Sequence, residues 1–212
     1  MKSLLRTVPL MNRLSNTYEE ASLFRGIDAD NLAHIEGRWN PIFEKRKLEA
    51  EASGESLAEI NAEDSHWQWG RKSIAAIEDP LTFDIYVLEC VGNTQAVMRV
   101  RKGGLKCQCR HPDHTREALI YLDFLSTAPW NRPKLVSEPI YKGCGRILVS
   151  TAVSLSIDEE LKGRIGLHSL PNAEAFYRDQ IGMTDFGPDK DCNGLRYFEL
   201  PASNAAKMFT NT

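Results

Sequence analysis

The chain has 212 residues, of which 42% are hydrophobic and 26% charged, with a formal net charge of −3 at pH 7. That length suits one sizeable domain, or a compact domain with an extra segment, and the apolar content can fill a core. The slightly acidic balance excludes a general electrostatic pull toward nucleic acid or anionic membrane, and the basic run "FEKRK" (43–47) reads as a solvated helix face.

No apolar run approaches the roughly 20 residues that span a bilayer. The first stretch, "MKSLLRTVPLMNRLSN", is mildly amphipathic but lacks the apolar core and small-residue cleavage site of a secretory signal. Five cysteines, at 90, 107, 109, 144 and 192, are an odd number without framework-like spacing. A cytoplasmic protein with reduced thiols is expected.

The first eighty residues read mostly as helix. Leu32, Ile35 and Trp39 share one helical face. Asn40-Pro41 reads as an N-cap and first-turn proline opening "PIFEKRKLEAEAS", which Gly54 ends. A further helix is expected over 56–78, stopped before Asp79-Pro80. Past Pro80 the texture changes to β-branched and aromatic runs. Strands are expected at 82–90 and 95–101, joined by a "VGNT" turn, and at 118–126. An irregular, proline-bearing segment (127–142) leads into a helix from about Arg146 to Leu155. A strand over 163–170, a short helix over 171–183 and a last strand over 195–201 complete the order. This pattern predicts an α/β (α+β) protein with a mixed, mostly antiparallel central sheet flanked by helices. The unit 118–170 should be a right-handed crossover that makes two neighbouring strands parallel.

In that crossover lies "YKGCGRILVSTAV" (141–153), two glycines ahead of a helix. The first turn of a helix leaves N–H groups unpaired and its dipole favours an anion there, while glycine lets phosphate oxygens come close. Lys142 and Arg146 add positive charge. The stretch is not a P-loop, because no Gly-Lys-Ser/Thr closes it. Nor is it the dinucleotide fingerprint, because Ile147 and Leu148 stand where its third glycine would fall. Taken alone, the turn reads as a simple helix start.

Three separated motifs change that reading. Tyr141-Lys142-Gly143-Cys144-Gly145-Arg146-Ile147-Leu148 stands in register with a Tyr-Arg/Lys-Gly-x-Gly-x-Gly/Ala-x-Leu cofactor loop. Asn172, Ala175, Phe176, Tyr177 and Ile181-Gly182-Met183 follow an Asn…Ala…Phe-Tyr…Gly-Phe run, and "LDFLSTAPW" matches the strand and proline ahead of the loop. Over roughly residues 82–200 the chain resembles the GNAT acetyltransferase superfamily, and "HWQWGRK", "TAPWNRP" and "GRIGLHSLP" look like one bacterial branch of it. Residues 81–212 then form the GNAT-like core, and the helical segment 1–80 packs on it within what reads as one continuous domain. The chain departs from the pattern in Ile147, where a small residue is usual, and in the length of the segment from Pro129 to Tyr141.

The resemblance implies acetyl-CoA as co-substrate and no metal. It places the pyrophosphate on the N–H groups of Gly143, Cys144, Gly145 and Arg146, beside Lys142. It runs the pantetheine arm along Leu125, Ser126 and Thr127 in a gap between that strand and the one at 163–170, with Asn172 and Tyr177 also at the cofactor. Direct transfer to an amine is implied, with Tyr177 as the acid that protonates departing CoA thiolate and either Asp123 or His168 as the base. Asp123 has a plain alternative, an ion pair across the sheet, and His168 has one as a satisfied core residue. The helix N-terminus should lower the Cys144 thiol's pKa. His66, Trp67 and Trp69 are candidates to line the acceptor side. Cys107, Cys109, His111 and His114 could ligate zinc, but four ligands from one short loop strain a tetrahedron, so a polar hairpin insertion is expected.

The acceptor amine is a small molecule, a protein or an aminoacyl-tRNA, and nucleic acid is a partner only in the last case. The alternative class is a non-catalytic acyl-CoA-binding sensor or regulatory module, which Ile147 and the long 129–141 segment favour. The 80-residue start shapes the acceptor site or a homodimer contact.

Overall fold

A computed structural model describes residues 2–206. The outer ends of the expected segmentation, residue 1 and residues 207–212, lie outside them. Among the described residues, nine strands hydrogen-bond in the order β6-β1-β2-β3-β4-β5-β7-β9-β8. The sheet is mixed and mostly antiparallel, with helices flanking it, as the element order predicts.

β1 (Ser3–Asn12) and β2 (Thr17–Arg25) form an antiparallel hairpin where helix was expected. Pro9 carries no N–H, which a helix interior would not tolerate. In β1 the residue lies beyond the short pairing with β6 (Tyr141–Lys142), which covers only Met11 and Asn12, so an edge accommodates it. Asn16, at φ 54°, supplies the left-handed residue of the turn.

Helix follows in a continuous run: α1 (Ala29–His34), a π turn (Ile35–Trp39) and α2 (Asn40–Ser53). Asp28, not Asn40, is the N-cap. Its carboxylate accepts from Asn31 N–H at 3.0 Å, and Asn31 Oδ1 accepts from Asp28 N–H at 3.2 Å, a reciprocal box. Asn40 has helical dihedrals because the π turn shifts the bonding register just before Pro41, whose N–H is missing. Gly54 ends α2 in the left-handed conformation, as its position predicts.

The helix expected over 56–78 is reduced to α3 (Trp69–Glu78). Asn61 is left-handed and its carbonyl accepts from Arg132, so a long-range contact interrupts a locally helical sequence. β3 (Phe83–Cys90) and β4 (Asn93–Arg101) turn at Val91-Gly92, both at positive φ.

β5 (Ile120–Thr127) and β7 (Ile165–Ser169) are parallel neighbours joined by α4 (Cys144–Asp158), the crossover read from the sequence. β8 (Thr184–Pro188), not anticipated, pairs with β9 (Arg196–Leu200) across a register shift at the outer edge. α5 (Ala202–Ala205) ends the described chain. Two compact units emerge. One comprises the residues up to Pro80 with 84–99 and 125–148, and the other comprises 81–83, 100–124 and the residues from 149 onward. Among the described residues, no helix is long and apolar enough to cross a membrane.

Candidate functional site

In the first unit, the glycine turn opens α4. Ile147 N–H donates to the Gly143 carbonyl at 3.0 Å, and the N–H groups of Cys144 and Gly145 come ahead of that bond. Gly143 is at φ +100°, and a Cβ built on it would meet nothing within 4 Å. The position demands glycine for its backbone and leaves open space beside it. Lys142 and Arg146 are exposed. Tyr141 anchors the turn: its N–H donates to Asn131 Oδ1 at 3.0 Å and its hydroxyl to Glu19 at 2.6 Å.

Cys144 departs from its expected chemistry. Its side chain is buried beside Asn131 Nδ2, and burial pushes the thiol up to about 12. A helix dipole acts within the first turn and is modest, whereas removal of the thiolate from water costs more.

Leu125, Ser126 and Thr127 end β5. Two of them are already engaged. Ser126 hydroxyl bonds to Asp64, and the Thr127 carbonyl accepts from Arg132 Nε at 3.0 Å and from its terminal nitrogen at 2.6 Å. Arg132 and Asp64 form a buried pair with both contacts at 2.6 Å. Burial pushes the Asp64 carboxyl up, but the Arg132 guanidinium and the bonds from Arg132 and Ser126 outweigh it and hold it below the ordinary value. The irregular segment after Pro129, read as a spacer, therefore carries a residue that fixes the end of β5. No local pattern pairs Arg132 with Asp64, which lies 68 positions away.

In the second unit, β5 and β7 pair from Ile120↔Ile165 to Leu122↔Leu167 and then part, while β5 continues to Thr127. Just where they part, Tyr121 hydroxyl lies 2.7 Å from His168 Nδ1, and His168 Nε2 lies 2.9 Å from Asp189. Arg110 reaches the same Asp189 oxygen at 2.7 Å and covers the Tyr197 ring at 4.1 Å. Bonds from His168, Arg110 and the Asp191 N–H hold the Asp189 carboxyl well below the carboxylate range. Burial lowers the His168 imidazole from its usual value and outweighs the Asp189 carboxylate, which raises it. Of these partners only His168 was legible. Tyr121, Asp189 and Arg110 carry no motif that singles them out in the sequence.

Asp123 lies 3.8 Å from Arg101, the cross-sheet pairing expected as its plain alternative. Tyr177 is buried on a π turn (Phe176–Ile181), with ring contacts to Phe176 and Phe198. Asn172 lies on the short 3₁₀ turn Pro171–Ala173 ahead of it. Trp69 is buried at the start of α3, and His66 and Trp67 lie on the turn before it with their rings edge-on. Cys107 and Cys109 are buried with Leu119, Tyr121 and Tyr197, and burial pushes both thiols up to about 11. His111 and His114 sit on a separate turn, so the four do not converge as one ligand set.

No protein-family model matches the chain, and no curated protein matches it. Solved structures do. A protein from Desulfovibrio desulfuricans assigned to the GNAT acetyltransferase family superposes with a TM-score of 0.51 at 10% identity, over 86% of this chain and 99% of that one. The chain has the GNAT fold. An uncharacterized protein from Bacillus halodurans matches at TM-score 0.58 and 10% identity, over 99% and 97% of the two chains. Mycobacterium smegmatis RimJ, solved with CoA-disulfide, matches at TM-score 0.48 and 13% identity, over 97% and 93%. Placed on the GNAT fold, the glycine turn heads the helix between the parallel strands and the parted ends of β5 and β7 lie in the same crossover.

Proposed function

We propose that this protein is an N-acetyltransferase that moves the acetyl group of acetyl-CoA directly to an amine. The observation that carries the reading is the opening of α4. The N–H groups of Cys144 and Gly145 there precede the helix ladder, next to a left-handed glycine with open space at its missing Cβ. That is a fit for an oxyanion-rich group such as a pyrophosphate, with Lys142 and Arg146 alongside. The end of β5 is the place for the pantetheine arm. Of Leu125, Ser126 and Thr127, the Thr127 carbonyl is already taken by Arg132, and the Ser126 bond to Asp64 uses its hydroxyl and not its main chain.

In the transfer, the neutral amine nitrogen attacks the thioester carbonyl carbon. The new C–N bond forms, the tetrahedral intermediate collapses and the C–S bond breaks. A base takes the amine proton, and Tyr177 gives one to the departing thiolate. Of the two candidate bases, Asp123 is engaged with Arg101, whereas burial favours the neutral form of His168. The second reading, an acyl-CoA-binding sensor without turnover, draws on the engaged Thr127 carbonyl. Thiol release from acetyl-CoA with a panel of lysine, polyamine and peptide N-terminal amines separates the two. Turnover supports the enzyme, and CoA binding with no turnover by any amine supports the sensor.

A further inference from the structure

His168 cannot receive a proton directly from a substrate as it stands, because both ring nitrogens are engaged. Nδ1 faces the Tyr121 hydroxyl at 2.7 Å and Nε2 faces Asp189 at 2.9 Å. Asp189 is a carboxylate that also accepts from Arg110, so it takes the hydrogen of Nε2, and Nδ1 is left as the acceptor of the Tyr121 O–H. A phenol oxygen that donates its one hydrogen still has lone pairs to accept another. The chain Asp189, His168, Tyr121 therefore ends in a hydroxyl that can take a proton while passing its own inward.

Its placement is equally specific. Tyr121 lies directly across from Gly166 in the β5/β7 ladder, one residue before the last paired position, and His168 lies one residue beyond it. The hydrogen bond thus sits at the point where the two parallel strands part. Close packing holds the geometry: a Cβ on Gly166 would come within 2.7 Å of the Tyr197 hydroxyl, and the Tyr197 ring lies 4.8 Å from the His168 ring. The charged and titratable groups facing His168 are Tyr121 on β5, Tyr197 on β9, and Asp189 and Cys192 on the turn between β8 and β9. Arg110 and Lys106 face it from the loop after β4.

We propose that Tyr121 is the catalytic group that takes the acceptor's proton, with His168 and Asp189 acting through it as a relay. This rests on the acyl-transfer reading above. As the C–N bond forms, the amine N–H proton moves to the Tyr121 oxygen and the Tyr121 O–H proton moves to His168 Nδ1. The imidazolium so formed keeps its Nε2–H on the Asp189 carboxylate, and its extra proton leaves by the same path after the thiolate has gone. Tyr121 returns to a neutral phenol without ever existing as a free phenolate in its buried setting.

The test uses the full chain, acetyl-CoA and whichever panel amine gives the fastest thiol release. CoA binding is measured by calorimetry on the same samples. Tyr121→Phe should lower kcat about 100-fold or more, with CoA affinity and the amine KM within about twofold of wild type. Asp189→Asn removes the charge that favours the imidazolium, so the acid limb of the kcat/KM profile should move to lower pH. A purely structural role would not move that limb. Tyr121→Phe at wild-type rate, or an unmoved limb in Asp189→Asn, overturns the relay while leaving the acyl-transfer reading intact. No CoA heat from the wild type overturns both.

Discussion

Arg132 grips Asp64 with two terminal nitrogens, each 2.6 Å from a carboxylate oxygen, and both side chains are almost wholly buried. The same guanidinium donates to the carbonyls of Asn61 and Thr127. One side chain thereby ties the turn that replaced an expected helix to the end of β5, the strand proposed to hold the pantetheine arm. The bidentate geometry is what makes a buried charge tolerable here.

Removal of either partner strands the other charge away from water. Arg132→Ala or Asp64→Ala should each lower unfolding stability by about 3–5 kcal/mol, read from urea denaturation. A double mutant with well-packed apolar replacements should recover much of that loss, because no lone buried charge then remains.

The pH dependence follows from the lowered Asp64 carboxyl. A group whose folded-state value is depressed contributes stability that is fully present above its unfolded value, about 3.9, and is lost as pH falls through the folded value. Melting temperature should therefore drop on the acid side of that value. Asp64→Asn should show a shallower acid drop from a lower neutral-pH starting point, and an unchanged slope would mean that Asp64 is not held low.

Thiol reactivity should follow burial. Cys144, at about 12, and Cys107 and Cys109, at about 11, should resist iodoacetamide in the folded protein, whereas half-exposed Cys192 reacts first. Mass spectrometry of time-quenched samples gives the order. Rapid labelling of Cys144 would show that the helix terminus outweighs burial after all.

Gly166 has no room for a side chain. Its Cβ would lie 2.7 Å from the Tyr197 hydroxyl and 3.1 Å from Leu119 Cδ2, and both are core atoms. Gly166→Ala should cost about 1–3 kcal/mol of stability, and thermal melts of the variant against wild type check it.

How much of this was legible in the sequence depended on the range of the interaction concerned. β3, β4, β5, β7 and β9 announced themselves through dense β-branched and aromatic runs, and Gly54 and Asp79-Pro80 marked helix ends through local backbone chemistry. The β1/β2 hairpin was missed because its alternation is weak, although Pro9 and the Ser15-Asn16 pair were usable signals against helix. β8 is short, ends in Gly-Pro and pairs only at an edge. The 56–68 stretch has helical propensity, and Arg132 overrides it from far along the chain. The site divides in the same way. The glycine turn is contiguous and readable, and His168 stood out as a strand histidine. Its partners Tyr121, Asp189 and Arg110 come from three other elements, and only the folded register brings them to it.

Calorimetric titration of coenzyme A into the wild-type chain and into Gly143→Val bears most directly on the central claim, that the head of α4 holds the cofactor's pyrophosphate. Valine would be strained at φ +100° and would fill the open space beside the turn. The account predicts saturable heat from the wild type and at least a tenfold weaker affinity in the variant, with both proteins folded by circular dichroism. Equal affinities, or no heat from the wild type at millimolar coenzyme A, would contradict it.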